Sequence, residues 1–154
     1  MDTAQSDLIV QGTVTQILAA RWTTADGKRP ANPHAADNWA SIYTPVLLRL
    51  TQTLKGEVVQ PEIVIAAIGG TVGLDSVEWE TDKSQNFKQG DNVVLFLGSS
   101  VSYEYAGPLT KELGRTVWHA YTRYDVTSDG QAINVDRRLP LADLVNEINK
   151  AQGR

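Results

Sequence analysis

The strongest constraint on the fold of this sequence is a series of short apolar segments separated by turn-forming residues. Glycine-containing turns lie between them, as at Leu54-Lys55-Gly56 and Gly69-Gly70-Thr71-Val72-Gly73. Short runs rich in β-branched residues and bounded by such turns are typical of β-strands. Their succession predicts a small, mainly β barrel, with strands at 8–18, 42–54, 63–68, 93–97 and 115–126.

Alternation of side chains predicts how three of these strands are buried. In the strand 42–54, an apolar face (Val46, Leu48, Leu50) alternates with a polar face (Arg49, Thr51, Thr53). This period of two predicts an antiparallel strand that is buried on one side. The strand 63–68 is apolar on both faces, so we expect it to be covered on both sides. The strand 115–126 also alternates, with one face made of Trp118, Ala120, Thr122, Tyr124 and Val126.

Three longer connections join the strands, at 23–40, 69–86 and 98–114. They contain glycine, proline and small residues, which favour loops. Connections of this length are uncommon in compact domains and are usually functional or mobile.

The C-terminal segment has a helical pattern instead. Leu141, Leu144, Val145 and Ile148 recur at i, i+3, i+4 and i+7, and Pro140 suits the start of a helix. The pattern predicts a helix over about 140–151. Because such a short amphipathic helix is marginal alone in water, we expect it to dock on the barrel, where it would cover an open end.

Composition excludes several classes of function. The 154 residues fit one domain, 1–154. The net charge of −4 argues against a nucleic-acid partner, which would require a basic face. No apolar run approaches the roughly 18 residues of a membrane-spanning helix, so we expect no membrane insertion. The absence of cysteine excludes disulfides, thiolate metal sites and cysteine nucleophiles.

The spaced strand motifs resemble a known family. The resemblance is carried by Asp7 to Val14, Leu54-Lys55-Gly56, Gly69 to Gly73, Phe87 to Leu97 and the ending Leu139-Pro140-Leu141-Ala142. This pattern is similar to an uncharacterised family of bacterial secreted or surface domains, which in turn resembles the OB-type barrel of netrin and metalloproteinase-inhibitor modules. It covers residues 7 to about 150.

The resemblance implies an OB-like antiparallel β-barrel with long loops and a C-terminal helix, located outside the cytoplasm or on the cell surface. The inhibitors of that family act through an N-terminal cysteine and disulfides, so inhibition by that route does not carry over to this cysteine-free chain. Met1 to Ser6 has neither a charged region nor an apolar core, so we expect no signal peptide within this sequence. A cytoplasmic location stays open.

Three segments of the sequence partly resemble metal or phosphate sites. Gly69 to Gly73 lacks the Gly-Lys-Ser/Thr and helix of a phosphate loop, so a bulge or turn is the better interpretation. The segment Asp125 to Asp136 resembles a calcium loop, but Thr127 is a poor third ligand and strands flank it, which favours a hairpin turn. His34 shares a loop with Asp26 and Asp37, where a solvated histidine is favoured over a metal site. We therefore expect no metal and no cofactor.

Four aromatic residues in or beside the loops are the best candidates for a ligand site. In OB barrels, ligands meet the loops after the first and fourth strands. Trp22 and Trp39 bracket the first of these loops, and Tyr103 and Tyr105 lie in the other. They could stack on sugar rings or anchor a protein partner. The alternative is that these aromatics fold back to cover the ends of the barrel.

These observations favour a non-catalytic binding or accessory module that contacts a protein or a glycan through its loops. The sequence has no Gly-x-Ser-x-Gly elbow and no activated serine beside a histidine, so we expect no catalytic residues. The alternative is a hydrolase or protease-inhibitor-like protein with a site built from loops.

Overall fold

A computed structural model of the protein describes residues 3–24, 26–32, 41–77, 85–99 and 106–153. Five long strands form a barrel: β1 (Leu8–Ile17), β3 (Ile42–Lys55), β4 (Glu62–Ile68), β7 (Asn92–Ser99) and β8 (Val117–Val126). The shorter strands are β2 (Arg21–Trp22), β5 (Gly70–Val72), β6 (Asp75–Val77), β9 (Gln131–Ile133) and β10 (Arg138–Pro140). Two helices accompany them, α1 (Ala106–Leu113) and α2 (Leu141–Ala151).

The barrel strands follow the order β1-β3-β4-β8-β7, and β7 pairs with both β1 and β8, which closes the ring. The predicted mainly β, OB-like barrel is confirmed. The β4–β8 pairing is parallel, at Val64↔Val117 and Ile65↔Trp118, so the barrel is mixed rather than wholly antiparallel. The reason is geometric. An odd number of strands cannot alternate in direction all the way around a closed ring, so at least one pairing must be parallel.

Gly12 marks a close approach between β1 and β3. A Cβ at this position would lie 2.5 Å from the carbonyl oxygen of Arg49, and the register of β1 against β3 shifts between Gln11 and Gly12. Only glycine fits such a contact without moving the backbone. Gly12 therefore lies at an irregularity in the pairing of β1 with β3.

A bulge in β8 overturns part of the predicted alternation. Phe96 pairs with Thr122 but Leu97 pairs with Ala120, which leaves Tyr121 as the extra residue. A bulge of this kind reverses which side chains face inward. The predicted common face is therefore divided: the barrel interior contains Trp118 and Ala120, and the outer wall beneath α2 contains Tyr124 and Val126.

The barrel interior is filled mainly by aliphatic side chains from all five strands. It is made of Leu8, Val10, Val14, Val46, Leu48, Ile63, Ile65, Ala67, Phe87, Val93, Leu95, Leu97 and Ala120. The prediction that β4 is covered on both sides is confirmed, because Ile63 and Ile65 face this interior while Val64 and Ala66 pack beneath α1.

The C-terminal helix forms as predicted and docks on the barrel. Leu144 and Ile148 are buried against the outward-facing side chains of β1, β7 and β8, among them Ile9, Val94 and Phe96. The helix therefore covers a side wall of the barrel rather than an open end.

The described residues of two predicted loops contain regular structure. The connection 69–86 includes the β5–β6 hairpin, and the connection 98–114 includes α1. Within α1, Leu109 and Leu113 are spaced at i and i+4, and Gly114, with a φ of +67°, follows the last helical residue. This is an ordinary helix signature. Gly107 and Pro108, which favour loops, lie in the first turn of α1 and are the reason that the sequence predicts a loop here.

Candidate functional site

The structure describes one of the four aromatics that were predicted to meet a ligand. Trp22 is 4% exposed and packs on Ile42 beneath the β5–β6 hairpin. The guanidinium of Arg29 lies 6.0 Å from its ring centroid. Trp22 thus covers one end of the core, as the alternative interpretation proposed. Its position does not favour a role in ligand binding, which stays a prediction. The other three lie outside the described residues: Trp39, Tyr103 and Tyr105.

The short strand β2 directs its two side chains in opposite directions. Arg21 pairs with Tyr43 of β3, and Trp22 pairs with Ile42. Neighbouring residues on a strand face opposite sides. Since Trp22 faces the β5–β6 hairpin, Arg21 faces the other way, toward α1.

The turn that follows β2 closes on the Arg21 side chain. The backbone N–H of Trp22 donates to the Gly27 carbonyl at 3.0 Å, and the N–H of Gly27 donates to the Thr24 carbonyl at 3.0 Å. A Cβ on Gly27 would lie 2.7 Å from both Nε and Nη2 of Arg21, and the φ of Gly27 is +73°. Glycine therefore allows the backbone to approach the guanidinium closely.

Helix α1 forms the facing side of the site. Leu109 is 1% exposed and packs with Tyr43, Val64, Ala66 and Val117. Between α1 and the segment after β1 lies a groove of about 360 Å³, lined by Leu18, Ala19, Ala20, Arg21, Asp26, Gly27, Pro45, Leu109, Glu112 and Leu113. The groove joins the connections that follow the first and fourth strands of the barrel. Ligands of OB barrels bind in this region.

An ion pair spans the groove. Nη1 of Arg21 donates to Oε2 of Glu112 at 2.8 Å, and the two side chains are 20% and 59% exposed. Burial lowers the pKa of the guanidinium, but the hydrogen bond and charge of Glu112, together with Tyr43, raise this pKa above its ordinary value overall. Arg21 is therefore a permanent cation.

The buried Tyr43 hydroxyl lies beside this cation. Burial raises the pKa of Tyr43 to about 12, although the charge of Arg21 opposes the rise. Tyr43 is thus a neutral phenol at physiological pH and adds no charge beside Arg21, and it is not part of the lining of the groove.

Asp26 contributes a fixed carboxylate at the rim. Its Oδ1 accepts hydrogen bonds from the backbone N–H of Lys28 and the hydroxyl of Thr24, each at 3.0 Å. These bonds lower the pKa of Asp26, so it is ionised at neutral pH. The groove therefore combines an aliphatic lining, one largely buried cation and carboxylates at its edge. Its described lining contains no serine, threonine, cysteine or histidine.

The segment that resembled a calcium loop is a hairpin turn. The N–H of Thr127 donates to the Gln131 carbonyl at 2.9 Å, and this turn joins β8 to β9. Two of its carboxylates have other partners, since Asp125 accepts from Arg123 at 2.8 Å and Asp129 accepts from the hydroxyl of Thr127. The hairpin interpretation is confirmed.

In the described part of the chain, no three histidine or carboxylate side chains are grouped to hold a metal ion. His34 and Asp37 lie outside it.

The glycine-rich segment after β4 is also structural. The N–H of Gly69 donates to the Ile42 carbonyl at 2.8 Å. A Cβ on Gly70 would lie 2.6 Å from Oγ1 of Thr44 and 2.7 Å from Cβ of Ala20. The segment therefore makes a tight contact with β3 before the β5–β6 hairpin, which confirms the interpretation as a turn.

His119, the described histidine, lies on β8 opposite Gly98 and is buried. Burial lowers the pKa of His119 to about 4, so the imidazole is neutral at physiological pH. His119 is absent from the lining of the groove.

Neither Arg21 nor the face of α1 that lines the groove was predicted from the sequence. Arg21 stands beside the aromatic residue that was chosen, on the opposite face of the same strand. Leu109, Glu112 and Leu113 follow the i, i+3, i+4 spacing of a helix face. That spacing was the available signal for this side of the site.

No protein-family model matches this sequence, and no curated protein is significantly similar to it. Among the helices that the structure describes, none has the length and apolarity needed to cross a membrane. Function therefore rests on the geometry of the site itself.

Proposed function

We propose that this protein is a non-catalytic binding module whose ligand occupies the groove between α1 and the turn after β2. One observation carries this proposal: the groove lies where OB barrels bind ligands, and it combines aliphatic surface with charged groups. Ligand sites are typically concave and mostly apolar, with a few polar groups that fix orientation.

The lining favours a protein segment over a glycan. Sugar rings are recognised largely by stacking on aromatic faces. The described lining has no aromatic side chain, and its accessible aliphatic side chains include Leu18, Ala19 and Leu113. Aliphatic side chains of a partner protein complement such a surface better than a sugar does. A glycan ligand is the competing outcome of the test below.

We also propose a location outside the cytoplasm, supported by the resemblance to secreted and surface domains and to netrin-type modules. Fractionation of the source cells tests it: the native protein is expected in the extracytoplasmic fraction, and recovery with cytosolic markers would contradict it. The alternative, a hydrolase or protease-inhibitor-like protein, gains no support from the described lining of the groove.

The binding proposal is tested by blocking the groove. Ala19 is an exposed lining residue, so Ala19→Trp fills the groove without entering the core. Val59 is 101% exposed in the β3–β4 connection, and Val59→Trp is the matched control. Wild type and both variants are screened against displayed extracellular proteins and a glycan array.

Partners that bind wild type and Val59→Trp but not Ala19→Trp are the expected result. If Ala19→Trp keeps every partner of the wild type, the groove is not the binding site and the proposal is wrong. If only glycans show this loss of binding to Ala19→Trp, the protein is still a binding module, but its ligand is a glycan rather than a protein.

A further inference from the structure

The Arg21 guanidinium has unused hydrogen-bonding capacity. Its Nη1 binds Glu112, but Nε is buried and has no hydrogen-bond acceptor among the described residues. A guanidinium offers five N–H donors in a planar fork that matches both oxygens of one carboxylate. Because the Gly27 backbone covers Nε, the position that a ligand in the groove can take is the one that Glu112 occupies at Nη1.

The present partner of Arg21 is easily replaced. Glu112 is mostly exposed and reaches the guanidinium through the single contact from Nη1 to Oε2. Exposed ion pairs contribute little to stability, so exchange of one carboxylate for another costs little. Arg21 itself is held in place, because the Gly27 backbone lies against its Nε and Nη2.

The groove beside this cation has a suitable size and chemistry for a chain end. Its volume of about 360 Å³ is close to the lower limit of roughly 300 Å³ for ligand pockets. That volume fits a terminal residue better than a long segment. The aliphatic lining beside Arg21 would cover a leucine- or valine-like side chain.

We propose that the groove binds the C-terminus of a partner protein, whose carboxylate replaces Glu112 on Arg21 while its last aliphatic side chain lies against Leu18 and Leu113. This inference rests on the binding function proposed above and specifies its ligand. No covalent step is involved. Glu112 acts as an internal competitor that occupies the cation until a ligand arrives.

The experiment measures the affinity of the full chain for a labelled tetrapeptide that ends in leucine with a free carboxylate. Two further probes are the same peptide as a C-terminal amide and an amidated peptide with an internal glutamate. The protein variants are Arg21→Gln, Arg21→Lys and Glu112→Gln. Arg137→Gln and Glu147→Gln are matched controls, because they make the same substitutions in the exposed Arg137–Glu147 ion pair of α2.

The two sides of the ion pair should respond in opposite directions. Arg21→Gln is expected to weaken binding of the free-carboxylate peptide about tenfold or more, because a charge-assisted hydrogen bond is lost. Arg21→Lys, which keeps the charge but not the fork, should fall in between. Glu112→Gln is expected to tighten binding about two- to fivefold, because it removes the carboxylate that competes for Arg21, and the free energy of that exposed ion pair is small. The control variants should bind like wild type.

Four results would overturn the inference: equal affinity for acid and amide peptides, preference for the internal glutamate, weaker binding by Glu112→Gln, or no binding of the acid peptide at about 10 mM. Failure of this inference is distinguishable from failure of the proposed function. If a partner no longer binds Ala19→Trp but the peptides do not bind wild type, only this inference fails and the proposed function is retained. If every partner of the wild type still binds Ala19→Trp, both the inference and the proposed function fail.

Discussion

The two helices cover different walls of one barrel and leave these walls in different states. Helix α2 lies on the wall formed by β1, β7 and β8, where Leu144 and Ile148 are both buried. Helix α1 lies on the wall formed by β3, β4 and β8, where Leu109 is its fully buried described side chain. The longer apolar stripe of α2 covers its wall, and the shorter α1 leaves a groove beside it.

Their ion pairs differ in the same way. Arg137 binds Glu147 with two parallel hydrogen bonds, Nη1 to Oε2 at 2.9 Å and Nη2 to Oε1 at 2.7 Å. Arg21 reaches Glu112 through Nη1 alone. A fork-to-fork pair uses both carboxylate oxygens, whereas the single contact leaves donor capacity for a ligand. The comparison therefore favours a structural role for the α2 wall and is consistent with the binding role proposed for the α1 wall.

The largest expected effect is on the α2 wall. Leu144 is 2% exposed, so Leu144→Ala should lower the free energy of unfolding by about 2–4 kcal/mol, because it removes buried surface and leaves a cavity. Chemical denaturation measures this change. Asp143→Ala, an exposed control on the same helix, should stay within about 0.5 kcal/mol of wild type. A loss below that limit for Leu144→Ala would show that α2 is only loosely attached.

The same truncation on the α1 wall should cost less. Leu109→Ala is expected to lower the free energy of unfolding by about 2 kcal/mol, which is at the low end for a buried leucine. The adjacent groove gives neighbouring side chains room to move into the cavity that the substitution leaves. Lys111→Ala is the exposed control. A loss equal to or greater than that of Leu144→Ala would contradict the assignment of stability to the α2 wall.

Acid should destabilise the protein through His119, which lies on the same face of β8 as Val117 of the α1 wall. The pKa of His119 is lowered to about 4 in the folded state, whereas an unfolded histidine titrates near 6.5. The unfolded chain therefore binds the proton first, and stability falls as the pH drops from about 6.5 toward 4. We expect a loss of about 1.5–2 kcal/mol at pH 5 relative to pH 7 from this group.

Denaturation curves at pH 7 and pH 5 measure this change. His119→Gln should lose much of the dependence in that interval, although its stability at pH 7 is also expected to be lower. If the variant keeps the pH dependence of wild type, His119 is not its source.

The smallest effects are expected from the two ion pairs. Glu112→Gln should change the free energy of unfolding by less than about 1 kcal/mol, because exposed pairs contribute little. Arg137→Gln should lower the melting temperature slightly, and by more than Glu112→Gln does, because its pair is bidentate. If Glu112→Gln were as destabilising as Leu109→Ala, Glu112 would be a structural anchor of α1 rather than an exchangeable partner of Arg21.

The features that were predictable from the sequence are encoded locally. The stripe of α2 spans eight consecutive residues, from Leu141 to Ile148, and the inward face of β3 follows a simple alternation. The β8 bulge was not predictable, because it depends on how Tyr121 fails to pair with β7.

The groove was not predictable from the sequence, because it also depends on contacts between distant parts of the chain. Arg21 and Glu112 lie 91 residues apart, and only the closed barrel brings them together. Trp22 was predicted as a candidate because aromatic residues often bind ligands, but Arg21, on the opposite face of β2, lines the groove. Both connections that were predicted to meet a ligand border the groove, which is the site proposed above.

The central claim is that the α1 wall carries the ligand site and the α2 wall does not. The most direct measurement is a screen of a small-fragment library by ¹⁵N–¹H correlation NMR on the full chain, because fragments collect where concave apolar surface meets polar groups. The account predicts shift changes that cluster at Leu18 to Gly27 and at Leu109 to Leu113, with no response from Leu144 or Ile148. Fragment binding that clusters along α2 or elsewhere, and leaves the groove unperturbed, would contradict it.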